Sequence, residues 1–155
     1  MRGEAFFTDD ELAGWELFFD ENIDLPDAEC GHCHNVPLFT TNEYFNNGID
    51  PAYDISDFED PGLGGITGDP ADYGKFRSPT LRNVTASAPY MHDGRFETIE
   101  EVIEHYNSGG HPSINKDVLI TPLGLTEEHK AQLLAFIKTL DDPDFVNDPE
   151  LQSPF

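Results

Sequence analysis

The only two cysteines among 155 residues stand in Cys30-Gly31-His32-Cys33-His34, a Cys-x-x-Cys-His run. Such a run reads as a site of covalent c-type haem attachment. One helical turn sets two thiols beneath the two vinyl groups of a single porphyrin, and the next residue offers its imidazole to the iron. A chain tethered in this way has to fold around a flat disc. Paired cysteines have other uses: a redox dithiol opens the helix of a βαβ unit, and a zinc knuckle needs a second ligand pair. Neither context is present in the sequence. One covalent haem c is the expected cofactor, with a metal site using His32 or His34 as the competing reading.

A chain of this length is expected to form one domain with a modest core. Its hydrophobic fraction is only 37%, yet twelve Phe, five Tyr and one Trp are ample for walling a large cofactor. The formal charge of −23 argues against nucleic acid or an anionic membrane surface as partner. It suits a small basic redox protein steered to the surface, and it serves solubility equally well. Half of the positive charge, Lys75, Arg77, Arg82 and Arg95, falls in one window whose only acid is Asp93. Buried haem propionates need neutralising, so this window is the expected propionate wall, with Arg82 its leading member.

No run of about eighteen apolar residues exists, and residues 1–10 lack the layout of a signal peptide. The chain reads as soluble. Bacterial haem c is installed outside the cytoplasmic membrane, so a periplasmic or other external location is expected, with a native export signal missing from a mature or truncated chain.

Thr8 to Glu11 has the form of a capping box, followed at helical spacing by Leu12, Trp15 and Phe19, which predicts a helix over 8–20 with Trp15 in the core. Residues 35–97 are rich in Gly, Pro, Asn and Asp without sustained periodicity, too much irregular chain unless a cofactor organises it. Thr98 and Glu101 form a second box, with Ile99, Val102, Ile103 and Tyr106 at i, i+3, i+4 and i+7 before Gly109-Gly110. Thr126 caps a third helix with a Leu133, Phe136, Ile137, Leu140 stripe, stopped by Asp141-Asp142-Pro143. No repeat, no convincing strand and no helix pattern after 141 is visible. The expected fold is mostly α, a class I cytochrome c-like domain with long haem-wrapping loops.

The stretch from Gly68 through Lys75-Phe76-Arg77-Ser78-Pro79-Thr80-Leu81-Arg82-Asn83-Val84, continued by Ala88-Pro89-Tyr90-Met91-His92-Asp93-Gly94, closely resembles the bacterial di-haem cytochrome c peroxidase and MauG family. Pro37-Leu38-Phe39-Thr40, Thr98 to Tyr106 and Leu123-Gly124-Leu125-Thr126 extend the likeness over nearly the whole chain. It covers only the second, electron-receiving haem domain of such proteins. Residues 1–7 then read as a linker-like start, 8–140 as the haem domain and 141–155 as an extended C-terminal tail. The family's peroxide-cleaving haem and the tryptophan between the haems belong to the first domain, and Trp15 does not match that tryptophan.

The resemblance implies His34 as the proximal iron ligand and places Tyr106 where the peroxidases carry a ligand methionine and MauG a ligand tyrosine. Met91, the only methionine besides Met1, lies 57 positions after His34, near the spacing of simple cytochromes c. Thioether ligation suits a high-potential carrier, so Tyr106 and Met91 both stand as the sixth ligand. His92 is expected in the haem pocket, whereas His32, His105, His111 and His129 read as surface residues. The family also binds calcium between its domains, partly through backbone carbonyls matching Ser87 and Pro89. Its members often form homodimers and take electrons from a cytochrome c or cupredoxin. Two functions follow: the haem c domain of a peroxide-using oxidoreductase whose peroxidatic haem lies elsewhere, or a stand-alone monohaem electron carrier.

Overall fold

The computed structural model describes residues 6–151. Along these the helices are α1 (Asp9–Phe19), α2 (Cys30–Cys33), α3 (Gly64–Thr67), α4 (Ile99–Ser108), α5 (Glu127–Lys138) and α6 (Pro143–Val146), with four short 3-10 turns between and after them. The three long helices begin where the sequence predicts. In each, a threonine side chain accepts from the backbone N–H three residues on: Thr8 from Glu11, Thr98 from Glu101, Thr126 from His129. The return bond from Glu11 or Glu101 completes a capping box in the first two, and His129 Nδ1 does so in α5. Gly109 ends α4 at φ 80, a left-handed position that leaves its N–H free to bond the carbonyls of His105 and Tyr106.

The core is the seam where α1 meets α5. Leu17 and Phe18 are 0% exposed and Phe136 only 2%. The rings of Phe18 and Phe136 meet edge to face at 5.2 Å, with Phe39 joining them from the loop after α2. Ile99 and Ile103 of α4, with Leu125, Leu133, Ile137 and Leu140, complete the apolar cluster, and Trp15 packs partly buried against it. The helices approach this closely because position 14 is glycine: a Cβ there would stand 2.0 Å from the Gln132 carbonyl oxygen.

The long irregular region is held by polar side chains and short pairings. Strand β1 (Tyr44–Phe45) pairs antiparallel with β2 (Phe76–Arg77), Tyr44 opposite Arg77 and Phe45 opposite Phe76. The sequence gives no sign of this ribbon, because two-residue strands are too short to show a period of two. Buried Asn46 donates to Ile114 O at 3.0 Å and accepts from Gly48 N at 2.9 Å, replacing a ladder with a side-chain anchor.

The C-terminal segment departs from the expected extended tail. Asp142 accepts from Phe145 N and Pro143 takes the first helical position, so α6 forms one capped turn and a 3-10 turn follows at Pro149–Leu151. Of the linker-like start, Phe6 and Phe7 are exposed and residues 1–5 lie outside the described residues, as do 152–155 of the tail. No helix among the described residues is long and apolar enough to cross a membrane.

Candidate haem site

The single turn of α2 closes when His34 N donates to Cys30 O at 3.0 Å. Both cysteines are free thiols. Burial pushes them up, Cys30 to about 12 and Cys33 to about 11, with neighbouring carboxylates such as Asp20 and Asp117 acting in the same direction. A redox dithiol needs positive surroundings that favour a thiolate. These surroundings are apolar and acidic.

Three carbonyl and hydroxyl groups fix the His34 ring. Nδ1 lies 3.1 Å from Phe39 O, 3.1 Å from Pro79 O and 3.3 Å from the hydroxyl of buried Ser78, which itself donates to Cys33 O at 2.7 Å. The proton therefore sits on Nδ1, and Nε2 keeps the lone pair a metal requires. Burial is the larger influence on the ring and lowers its pKa, so the imidazole is held neutral. The loops that supply these acceptors are laced together: Thr40 Oγ1 donates to Ser78 O and Thr80 Oγ1 to Leu38 O. Two stretches that are separate in sequence thus form one cradle.

Cys30, Cys33 and His34 line a cavity of about 480 Å³ shared with Phe18, Ile103, Leu133 and Ile137 of the core. That size lies inside the range of roughly 300–1,000 Å³ usual for cofactor pockets. Apolar walls, two free thiols and a ring nitrogen with its lone pair available match the donor set of haem c. A second crevice, of about 470 Å³ between Phe7, Trp15, Phe39 and Phe136, has Glu11 as its only ionisable lining residue, and that carboxylate caps α1.

Both rivals for the second axial position line the same cavity. Asn47 Nδ2 lies 3.2 Å from Tyr106 Oη and 3.4 Å from Met91 Sδ, so one carboxamide touches both. Burial pushes the Tyr106 phenol up to about 12, while the Asn47 bond acts in the opposite direction. His92 also lines the cavity, stacked on Phe76 at 3.7 Å and nearly parallel, as do Ser87 and Pro89.

Three of the four side chains expected to form the propionate wall have protein partners. Arg82 is absent from the cavity lining: its Nη2 donates to Pro37 O at 2.7 Å and its guanidinium lies over the Phe39 ring, clamping the loop after the haem motif. Lys75 pairs with Asp72 at 3.2 Å, and Arg95 with Asp50 at 2.7 Å and with Asp93. Arg77 alone of the four lines the cavity. His105, expected at the surface, is buried, and its Nε2 lies 3.0 Å from Asn47 O. Asn47 and Ser78 went unassigned in the sequence, and only the Ser78-Pro79 match of the family-like segment pointed near them.

Beside the motif, Asp20, Asp27 and Glu29 crowd together, with His32 2.8 Å from Glu29 and 3.8 Å from Asp20. Partial burial, then Asp27 and Glu29, raise the Asp20 carboxyl to about 7. The folded state thus holds this proton more tightly than the unfolded chain does. Its contribution to stability is complete below the ordinary value of 3.8 and is lost as pH rises through about 7. Asp20→Asn, which suits the left-handed backbone there (φ 57), is expected to raise the urea midpoint at neutral pH and to flatten its decline across that window. An unchanged pH profile in urea titrations would show that the cluster exerts no such pressure.

No family model matches the chain. The cytochrome-c peroxidase IdrP1 of Pseudomonas sp. strain SCT is 34% identical over 83% of this chain and 41% of its own length. The methylamine utilization protein MauG of Paracoccus denitrificans is 31% identical over 92% of this chain and 45% of its own. The crystal structure of a MauG-like protein associated with microbial copper homeostasis superposes with a TM-score of 0.82 at 40% identity, over 98% of this chain and 53% of that one. The chain therefore spans about two fifths to half the length of these relatives.

Proposed function

Because this chain belongs to the di-haem cytochrome c peroxidase and MauG family, we propose that it binds one covalent haem c and exchanges electrons with a second, peroxide-reacting haem domain of the same enzyme. The observation that carries this reading is the His34 ring, fixed through Nδ1 by Phe39 and Pro79 with its other nitrogen free, directly after two thiols in an apolar cavity. When bound, the haem supplies one-electron redox chemistry at a potential set by its axial ligands and surroundings.

The chain's residues divide the work. Cys30 and Cys33 would form the thioether bonds and His34 Nε2 would bind the iron. Tyr106 would be the second iron ligand: it lines the cavity from α4, and its hydroxyl, a stronger acceptor than the Met91 thioether, takes the Asn47 hydrogen bond at 3.2 Å. Arg77 takes the propionate-neutralising role expected of Arg82, which instead holds the loop behind His34. His92 closes the pocket by stacking on Phe76. The whole enzyme reduces hydrogen peroxide or uses it to oxidise a protein, outside the cytoplasmic membrane, with a small basic redox protein as donor to its acidic surface.

Calcium at Ser87 and Pro89 would be held by their two backbone carbonyls together with further oxygens. The ion takes about six to eight oxygen ligands, and among the described residues the one cluster of three metal-capable His, Cys, Asp or Glu side chains is Asp20, Glu29 and His32.

Haem counting on the native protein tests the proposal. Two haems per polypeptide, with peroxide consumption when a reduced donor is supplied, is the expected result. One haem and no peroxide turnover would overturn it in favour of a monohaem carrier.

A further inference from the structure

Asn47 stands where the two rival ligands meet, and its position is not free to vary. Its carbonyl oxygen lies 3.0 Å from Nε2 of buried His105 on α4. The preceding Asn46, 2% exposed, is anchored to Ile114 O, Ser113 Oγ and Gly48 N. The side-chain amide is thereby presented to the cavity, within hydrogen-bond reach of both Tyr106 Oη and Met91 Sδ. We propose that Asn47 is a positioning residue that selects Tyr106 over Met91 as the second axial ligand of the haem iron. This rests on the reading above that a haem is bound with Tyr106 in that role.

The selection follows from what each partner has to give. A carboxamide nitrogen carries two N–H donors and no acceptor. A tyrosine oxygen bound to a metal has given up its proton, so it still has a lone pair with which to accept one N–H, and that bond holds it in one orientation. A thioether sulfur is a weak acceptor, and an N–H directed at it competes with a metal for the same lone pairs. One amide therefore favours the oxygen and occupies the sulfur. Met91 has little room to escape, because its backbone lies at φ 72 in a turn closed by the paired Tyr90 and Phe96. One neutral hydrogen bond shifts such a two-way choice by roughly two- to tenfold.

The test uses the haem-loaded chain with Asn47→Leu and Asn47→Asp, each lacking the N–H donors, at one fixed pH. Covalent haem mass checks loading, and the ferric absorption spectrum and midpoint potential report ligation. In both variants the tyrosine charge-transfer absorption is expected to fall, the near-infrared thioether band to emerge and the potential to rise. Adding Met91→Leu to either variant should remove the new band. Spectra and potentials identical to the parent would overturn the proposal, as would lower loading with no change in the relative strength of the two signatures. A thioether band already present in the parent and abolished by Met91→Leu is a different result: it overturns the Tyr106 reading itself, and this selection with it.

Discussion

Replacing Cys30 and Cys33 together by alanine is expected to give a chain whose mass is that of the polypeptide alone and whose unfolding has lost its cooperativity. The parent should carry the added mass of one haem through denaturation, since thioether bonds survive unfolding. The second effect comes from the core: Phe18, Ile103, Leu125, Leu133 and Ile137 all border the cavity of about 480 Å³. An unfilled cavity costs about 24 cal/mol per Å³, which for this volume is on the order of 10 kcal/mol as an upper bound, because the cavity opens to solvent. A domain's whole stability is about 5–15 kcal/mol, so a cofactor filling this cavity would be part of the core. Mass spectrometry under denaturing conditions and near-ultraviolet circular dichroism check both halves. Haem-free parent protein, or zinc held at these thiols, would remove the premise of the cytochrome reading.

The same dependence explains which features the sequence made legible. Helices α1, α4 and α5 are visible because a capping threonine and a 3.6-residue apolar repeat are local signals, and each lies within two residues of its expected bounds. The cofactor motif is local as well. What brings the cradle together is not: Phe39 and Pro79 reach the same ring nitrogen from positions 40 residues apart in the chain. Counting charges locates a cation along the chain without its direction, and Arg82 turns to a backbone acceptor at Pro37. His105 flanks the apolar stripe of α4 and is buried by the loop at Asn47, whose path no periodicity reveals. The tail helix α6 is a single turn and offers no repeat, although Asp142-Pro143 is a legible start.

Gly14→Ala gives opposite predictions according to whether the helix or the interface governs. Alanine is favoured over glycine in a helix interior by about 0.5–1 kcal/mol, so an exposed site would be stabilised. Here the new Cβ would lie 2.0 Å from Gln132 O, 2.6 Å from its carbonyl carbon and 2.8 Å from Phe136 Cβ. The first two are backbone atoms of α5 and have no rotamer to change, so α1 itself has to move. Overpacking of this kind costs roughly 1–3 kcal/mol, more than the propensity gain, and the variant is expected to unfold at lower urea. Gly14→Leu should be worse. The displacement also reaches the cofactor, because α1 carries Phe18 into the cavity wall and Phe19 lies against Gly31, where an added Cβ would meet its ring at 2.8 Å. A shifted haem absorption in Gly14→Ala, together with the lower urea midpoint, is therefore the expected pair of results. A variant stabilised to the extent that helix propensity alone dictates would show that α1 and α5 do not meet this closely in solution.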